Sequence, residues 1–192
     1  MKLVRSWPAV IPEGRSYVVD DIERFVMGAG NDTQFDYRRL VDYDDDIVLI
    51  EWDIAVGGEQ LHLFMTRAAA EPDRVRVAPY LLYRGHSGIT PQIPFYVHRV
   101  REPGMRTWVK GPADTYCHLF GFGLIYLPRE LIAQFVAQMS PASKFGDTEF
   151  SRWHMRQPIG ERRNVPIDWD VRPVHLHYTT PEVPHGDVAR HR

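Results

Sequence analysis

The sequence predicts an α/β fold, a single domain with a mixed sheet flanked by helices, and three observations carry that prediction. The run IVLI, at 47–50, is a short, wholly apolar stretch of the kind that is buried on both faces of a sheet. After Gly57-Gly58 the apolar residues Leu61, Phe64, Met65 and Ala68 fall at helical spacing, with Pro72 just beyond the expected helix end. VRVAPYLLY, at 75–83, then reads as a second buried strand, which completes a strand–helix–strand unit with parallel strands.

The remaining elements follow from local chemistry. KLVRSWPAVIP reads as a strand and loop, with prolines setting turns. DDIERFVMGAG reads as a short helix, acidic in its first turn and glycine-rich at its end. FDYRRLVDY adds a helical turn or two. The segment from Arg84 to Pro112 shows no steady period and is either a long functional loop or a set of short irregular strands. In FGFGLIYLPRELIAQFVAQM a strand leads to a helix opened by Pro128, with Leu131, Ile132, Phe135, Val136 and Met139 on one face. WDVRPVHLHY reads as a terminal strand. No repeat or linker divides the chain, so one domain is expected over 1–180, with 181–192 as a flexible tail.

A chain of 192 residues with a net charge near −2 has enough length for one good core and no global pull toward nucleic acid or anionic membranes. The single cysteine, Cys117, cannot close an intrachain disulfide and suits a reducing compartment. No apolar run approaches the roughly 20 residues needed to span a bilayer. A cytoplasmic location and no membrane span are the expectation.

Several residues can carry chemistry. Glu51 and Asp53 flank Trp52 at the end of the IVLI strand. In extended geometry the two carboxylates share a face and Trp52 points away from them. Such a pair suits a hard divalent cation bridging to phosphate oxygens, although acids at a strand end also simply face water. His175 and His177 share a strand face and can ligate a metal or stand partly exposed. Gly121 and Gly123 around Phe122 either admit close approach of a ligand to the backbone or relieve crowding at a bend. Asp147 and Glu149 can supply a general base, or belong to a solvated turn. His118 and Asp114 have a structural role as the simpler reading. Arg152, Trp153, His154 and Arg156 can stack on a sugar or base and hold phosphate, or form a surface helix. Arg99, Arg101, Arg106 and Lys110 make the middle locally basic.

The order of these features resembles the nucleotide-sugar glycosyltransferases of the GT-A fold, the family 2 type in particular, with an abbreviated N-terminal half. IVLIEWD followed by Gly57-Gly58-Glu59 looks like their acidic D-X-D element, with Glu51 in its first acidic position and Asp53 in its last. LFGFGLIYLPREL resembles their glycine-containing strand leading into a helix. Gly146-Asp147 with Phe150 three residues beyond resembles the motif that carries the base, and His175 or His177 stands where many such enzymes place a C-terminal metal-ligating histidine. The resemblance covers about 44–178.

It implies a GT-A-like, Rossmann-type sheet and a metal-dependent transfer from a nucleotide-diphosphate sugar, a UDP-sugar first among them, to an acceptor hydroxyl with inversion. Mn or Mg would be held by Asp53, Glu51 and His175 or His177, and Asp147 would be the catalytic base. Trp52, Gly121, Phe122 and Gly123 would line the donor, and Trp153, His154 and Arg152 the acceptor. The acceptor is a glycan, a protein or a modified DNA base. A DNA glycosyltransferase acting on a hydroxymethylated base is the rival within the same chemistry. A non-catalytic metal- or ligand-binding module and a purely structural protein are the rivals outside it.

Overall fold

The computed structural model of the chain describes residues 1–11, 13, 15–27, 36–84, 93–96, 98–102, 105–109, 111–140, 143–158, 160, 164–176 and 187–190. The chain opens with β1 (Lys2–Trp7), β2 (Ser16–Val19) and β3 (Arg24–Val26). The helix expected from Asp20 onward is replaced by β3. Phe25 is buried there while Arg24 and Val26 are exposed, a period of two. Arg24 sits 4.2 Å over the Trp7 ring, a cation–π contact that ties β3 to the end of β1. A 3-10 turn over Arg38–Asp42 then leads into β4 (Ile47–Ile50).

A tight turn follows β4, closed by the Ile54 amide donating to the Glu51 carbonyl at 3.0 Å, before the short β5 (Ile54–Ala55). Gly57 precedes α1 (Gly58–Ala70), whose buried residues Leu61, Phe64 and Ala68 repeat at helical spacing. Next come β6 (Arg76–Val77) and β7 (Leu81–Arg84). The single strand expected over 75–83 is thus two strands, interrupted around Pro79, which has no N–H to donate to a ladder.

The middle of the chain forms short antiparallel pairs: β7 with β8 (Ile93–Tyr96), and β9 (Arg99–Glu102) with β10 (Met105–Trp108). After β11 (Tyr116–Cys117) come β12 (Leu124–Leu127), α2 (Arg129–Gln138) and α3 (Asp147–Arg156). Pro128 is the residue before α2 and not its first. The chain ends with β13 (Val165–Pro166), β14 (Val174–His175) and β15 (Asp187–Arg190). Among the described residues of the expected terminal strand, Val174 and His175 form β14, and β15, within 181–192, pairs antiparallel with β2. Its ladder joins Asp187–Arg190 to Ser16–Val19, a pairing that no local pattern reveals.

The main sheet among the described residues has five strands in the order β3-β1-β4-β12-β6. β1 runs parallel to both β3 and β4, and β12 runs antiparallel to both β4 and β6. β4 and β6 therefore point the same way, as the strand–helix–strand reading requires, but β12 lies between them. This is a mixed, Rossmann-type α/β sheet.

Alternation along the central strands divides the core. Ile47 and Leu49 of β4, with Ile125 and Leu127 of β12, join Leu131, Ile132 and Phe135 of α2 and Phe150 of α3. Val48, Ile50, Leu124 and Tyr126 join Leu61, Phe64 and Ala68 of α1 on the other side. All four residues of β4 are fully buried, because helices cover both faces. Each large apolar side chain removed from water in this way contributes about 1.5–3 kcal/mol. The sheet thus holds the carboxyl end of β4 as a rigid platform. Among the described residues, no helix is long and apolar enough to cross a membrane.

Candidate functional site

The turn after β4 is fixed by a residue that sequence reasoning missed. Arg5, on β1, is 1% exposed, and its guanidinium donates to the carbonyls of Glu51 at 2.7 Å and Ile54 at 3.0 Å. Its remaining donors grip the Asp20 carboxylate, with Nη2 at 2.7 Å. A planar guanidinium can serve two carbonyls and a carboxylate together, which a lysine cannot. The available signal was an arginine directly after the apolar pair Leu3-Val4 of a strand, where it requires a buried partner.

Glu51 and Asp53 are therefore presented by a turn and not by a continuing strand. Glu51 is partly buried and accepts a hydrogen bond from the Tyr37 hydroxyl at 2.9 Å. Burial, then the charges of Asp53 and Asp147, push the Glu51 carboxyl well above the usual carboxylate range, against the hydrogen bond from Tyr37. Asp53 is buried at 4% exposure. Its Oδ2 lies 3.3 Å from Nε2 of His175, whose strand β14 pairs with β5 so that His175 stands opposite Ile54. The Leu176 amide closes the same junction by donating to the Asp53 carbonyl at 2.9 Å.

Asp147 reaches this cluster from the far side of the core. It opens α3, and Phe150, Ser151 and His154 on the same helical face are buried. Both the amide and the hydroxyl of Thr148 donate to its Oδ1. Burial raises the Asp147 carboxyl despite those hydrogen bonds. Glu149, the other base candidate, is exposed and turns its carboxylate back over the Gly146 backbone.

Tyr80, which sequence reasoning also missed, lies at the centre. Its phenol is raised well above its ordinary value by burial, then by the charges of Glu51, Asp147 and Asp53, so it stays neutral among them. Its ring stacks on His175 at 5.9 Å and meets the edge of His98 at 5.7 Å. The FGFG glycines serve this tyrosine. A Cβ on Gly121 would lie 2.3 Å from the Tyr80 hydroxyl oxygen and 3.4 Å from Oδ2 of Asp147, and one on Gly123 would lie 2.4 Å from the Tyr80 ring. Close approach is required here, and the approaching group is the protein's own side chain.

Other expected site residues stand elsewhere. Trp52 and Phe122 are buried among core side chains, so neither ring is open to a donor. On α3 the helical period separates the expected acceptor cluster. His154 is fully buried against Phe120 and Phe150, Trp153 packs on Phe135 with its Nε1 donating to Gln138 at 2.9 Å, and Arg152 faces solvent. His118 contacts Asn164 at 3.2 Å, and the Asp114 carbonyl accepts from Trp169 Nε1 at 2.7 Å. His177, Lys110 and the side chains of Arg101 and Arg106 lie outside the described residues.

Glu51, Asp53, Asp147 and His175 thus gather around Tyr80. Among the described residues no group of three or more His, Cys, Asp or Glu side chains is close enough to hold a metal ion, and Asp53 with His175 supplies two donors. The donor types fit a hard or borderline divalent cation. Beside this cluster a cavity of about 360 Å³ opens between Tyr80, His175, Trp169, Arg172 and flanking prolines.

No protein-family model matches the sequence, and no curated protein matches it. The structure is similar to the crystal structure of A197 from STIV, with a TM-score of 0.50 and 14% identity over 100% of this chain and 95% of that one. At that identity the likeness speaks to the fold alone.

Proposed function

We propose that the chain is a metal-dependent glycosyltransferase of the GT-A type, moving a sugar from a nucleotide-diphosphate sugar to an acceptor hydroxyl with inversion. One observation carries this reading. Asp147, from the start of α3, lies beside the Tyr80 hydroxyl over Gly121, and His175, stacked on the Tyr80 ring, faces Asp53, so both carboxylates meet at the carboxyl edge of the central strand β4. An edge of this kind is where open α/β sheets bind ligands.

Asp53 and His175 would hold Mn or Mg, with Glu51 as a further oxygen donor. When bound, the ion supplies neutralisation of the diphosphate leaving group. Asp147 accepts the acceptor's hydroxyl proton on Oδ2, because its Oδ1 is engaged by Thr148. The acceptor oxygen then bonds to the anomeric carbon as the bond from that carbon to the diphosphate oxygen breaks, on the opposite face. A raised carboxyl is the better base near neutral pH. The Arg5-held turn keeps Glu51 and Asp53 oriented.

Incubation with a panel of UDP-sugars and Mn tests the reading. Release of UDP from at least one donor, lost in Asp147→Asn, is expected. No release from any donor in the panel, with no stabilisation by any nucleoside diphosphate, would overturn it.

A further inference from the structure

The 360 Å³ cavity beside the carboxylate cluster was not among the expected sites. Trp169 and the prolines Pro79, Pro112 and Pro173 give it rigid and largely flat walls. Such surfaces stack on the C–H faces of a sugar ring and lose little side-chain entropy in doing so. The volume lies near the small end of the roughly 300–1,000 Å³ range of ligand cavities, which favours one or two rings over a whole nucleotide-sugar.

Two features give the cavity direction. His175 and Tyr80 form part of its wall, and the Tyr80 hydroxyl stands over Gly121 beside Asp147, so cavity and carboxylates share a boundary. At the wall stands Arg172, which is exposed and whose Nε donates to the Trp169 carbonyl at 3.4 Å. The rest of its guanidinium has no hydrogen-bond or ion-pair partner among the described residues. The nearby acid Asp170 is already paired with Arg67 at 2.6 Å. A planar cation without a carboxylate partner, beside stacking surfaces, recognises an anionic group on a ring.

We propose that this cavity binds a hexose carrying an anionic group, its ring against Trp169 and the flanking prolines and its carboxylate or phosphate on Arg172. The role of that sugar as acceptor rests on the transferase reading, while its binding does not.

The test uses the full chain in chelator, without donor, titrated with glucuronate, glucose 6-phosphate and glucose while ligand-observed NMR is recorded. At least one anionic hexose binds saturably and better than glucose, and the tighter of the two identifies carboxylate or phosphate as the recognised group. Arg172→Gln, an exposed change, weakens that binding on the order of tenfold and leaves glucose unaffected. Trp169→Phe keeps an aromatic wall and retains the preference for charge. Equal binding of charged and neutral hexoses, or unchanged binding in Arg172→Gln, overturns the proposal. Sugar binding without nucleoside diphosphate binding would sustain this site and remove the transferase reading.

Discussion

His175 stacks its ring on Tyr80 while its Nε2 faces the Asp53 carboxylate at 3.3 Å, so one histidine joins the acidic turn to the aromatic centre of the site. The pairing of β14 with β5 makes this possible, because it brings His175 back to the turn at the end of β4. The consequences can be measured at several points.

Asp147→Asn removes the proton acceptor and leaves the Asp53–His175 pair untouched. Turnover should fall about 10²–10⁴-fold, the range for loss of a general base, with nucleoside diphosphate affinity nearly unchanged. Steady-state kinetics beside direct titration separates the two effects. Turnover within threefold of wild type would remove Asp147 from the chemistry.

Gly121→Ala places a methyl group 2.3 Å from the Tyr80 hydroxyl oxygen, and Gly123→Ala places one 2.4 Å from the ring. Both should destabilise the chain by about 1–3 kcal/mol in denaturant melts. Adding Tyr80→Phe should recover much of the loss in Gly121→Ala, since the hydroxyl is the clashing atom. It should recover little in Gly123→Ala, where the ring itself is in the way. Equal rescue of both would contradict this packing.

His98 gives a pH dependence with a defined sign. Burial lowers its pKa from 6.5 to about 4, against the hydrogen bond of its Nε2 to the Ala78 carbonyl at 2.9 Å. Between those values the unfolded chain binds the proton and the folded chain does not. The contribution is therefore complete above pH 6.5, declines as pH falls toward 4 and is worth about 3 kcal/mol across the window. Urea melts at pH 7.5, 5.5 and 4.5 should show that decline, and His98→Gln, which keeps a donor, should flatten it. An equally steep acid limb in the variant would assign the effect to other groups.

Much of the scaffold is readable in the sequence where a single physical rule decides. IVLI has no polar face, so it is a strand covered on both sides, and the face of Leu61, Phe64 and Ala68 has one use, burial against a sheet. Sequence reading loses ground where two tendencies compete. Around Phe25 the acidic and glycine signals point to a helix, but one inward aromatic and the contact of Arg24 with Trp7 favour a strand. The insertion of β12 between β4 and β6 is a matter of strand order, which periodicity does not encode.

At the site, the acids and His175 stand out as residue types. Tyr80 does not, since a tyrosine in an apolar run looks like core until FGFG is seen folded against it. Arg152, Trp153 and His154 look like a cluster only in linear order. A turn of 100° per residue sends them to different surroundings.

In the proposed function, Asp53 and His175 hold a divalent ion that binds a nucleoside diphosphate. Calorimetric titration of UDP into the chain, in Mn and then in chelator, tests it most directly, with Asp53→Ala alongside. Binding should be tight in Mn, at least tenfold weaker in chelator, and equally weak for Asp53→Ala under both conditions. Equal UDP affinity with and without Mn in the wild-type chain would contradict it.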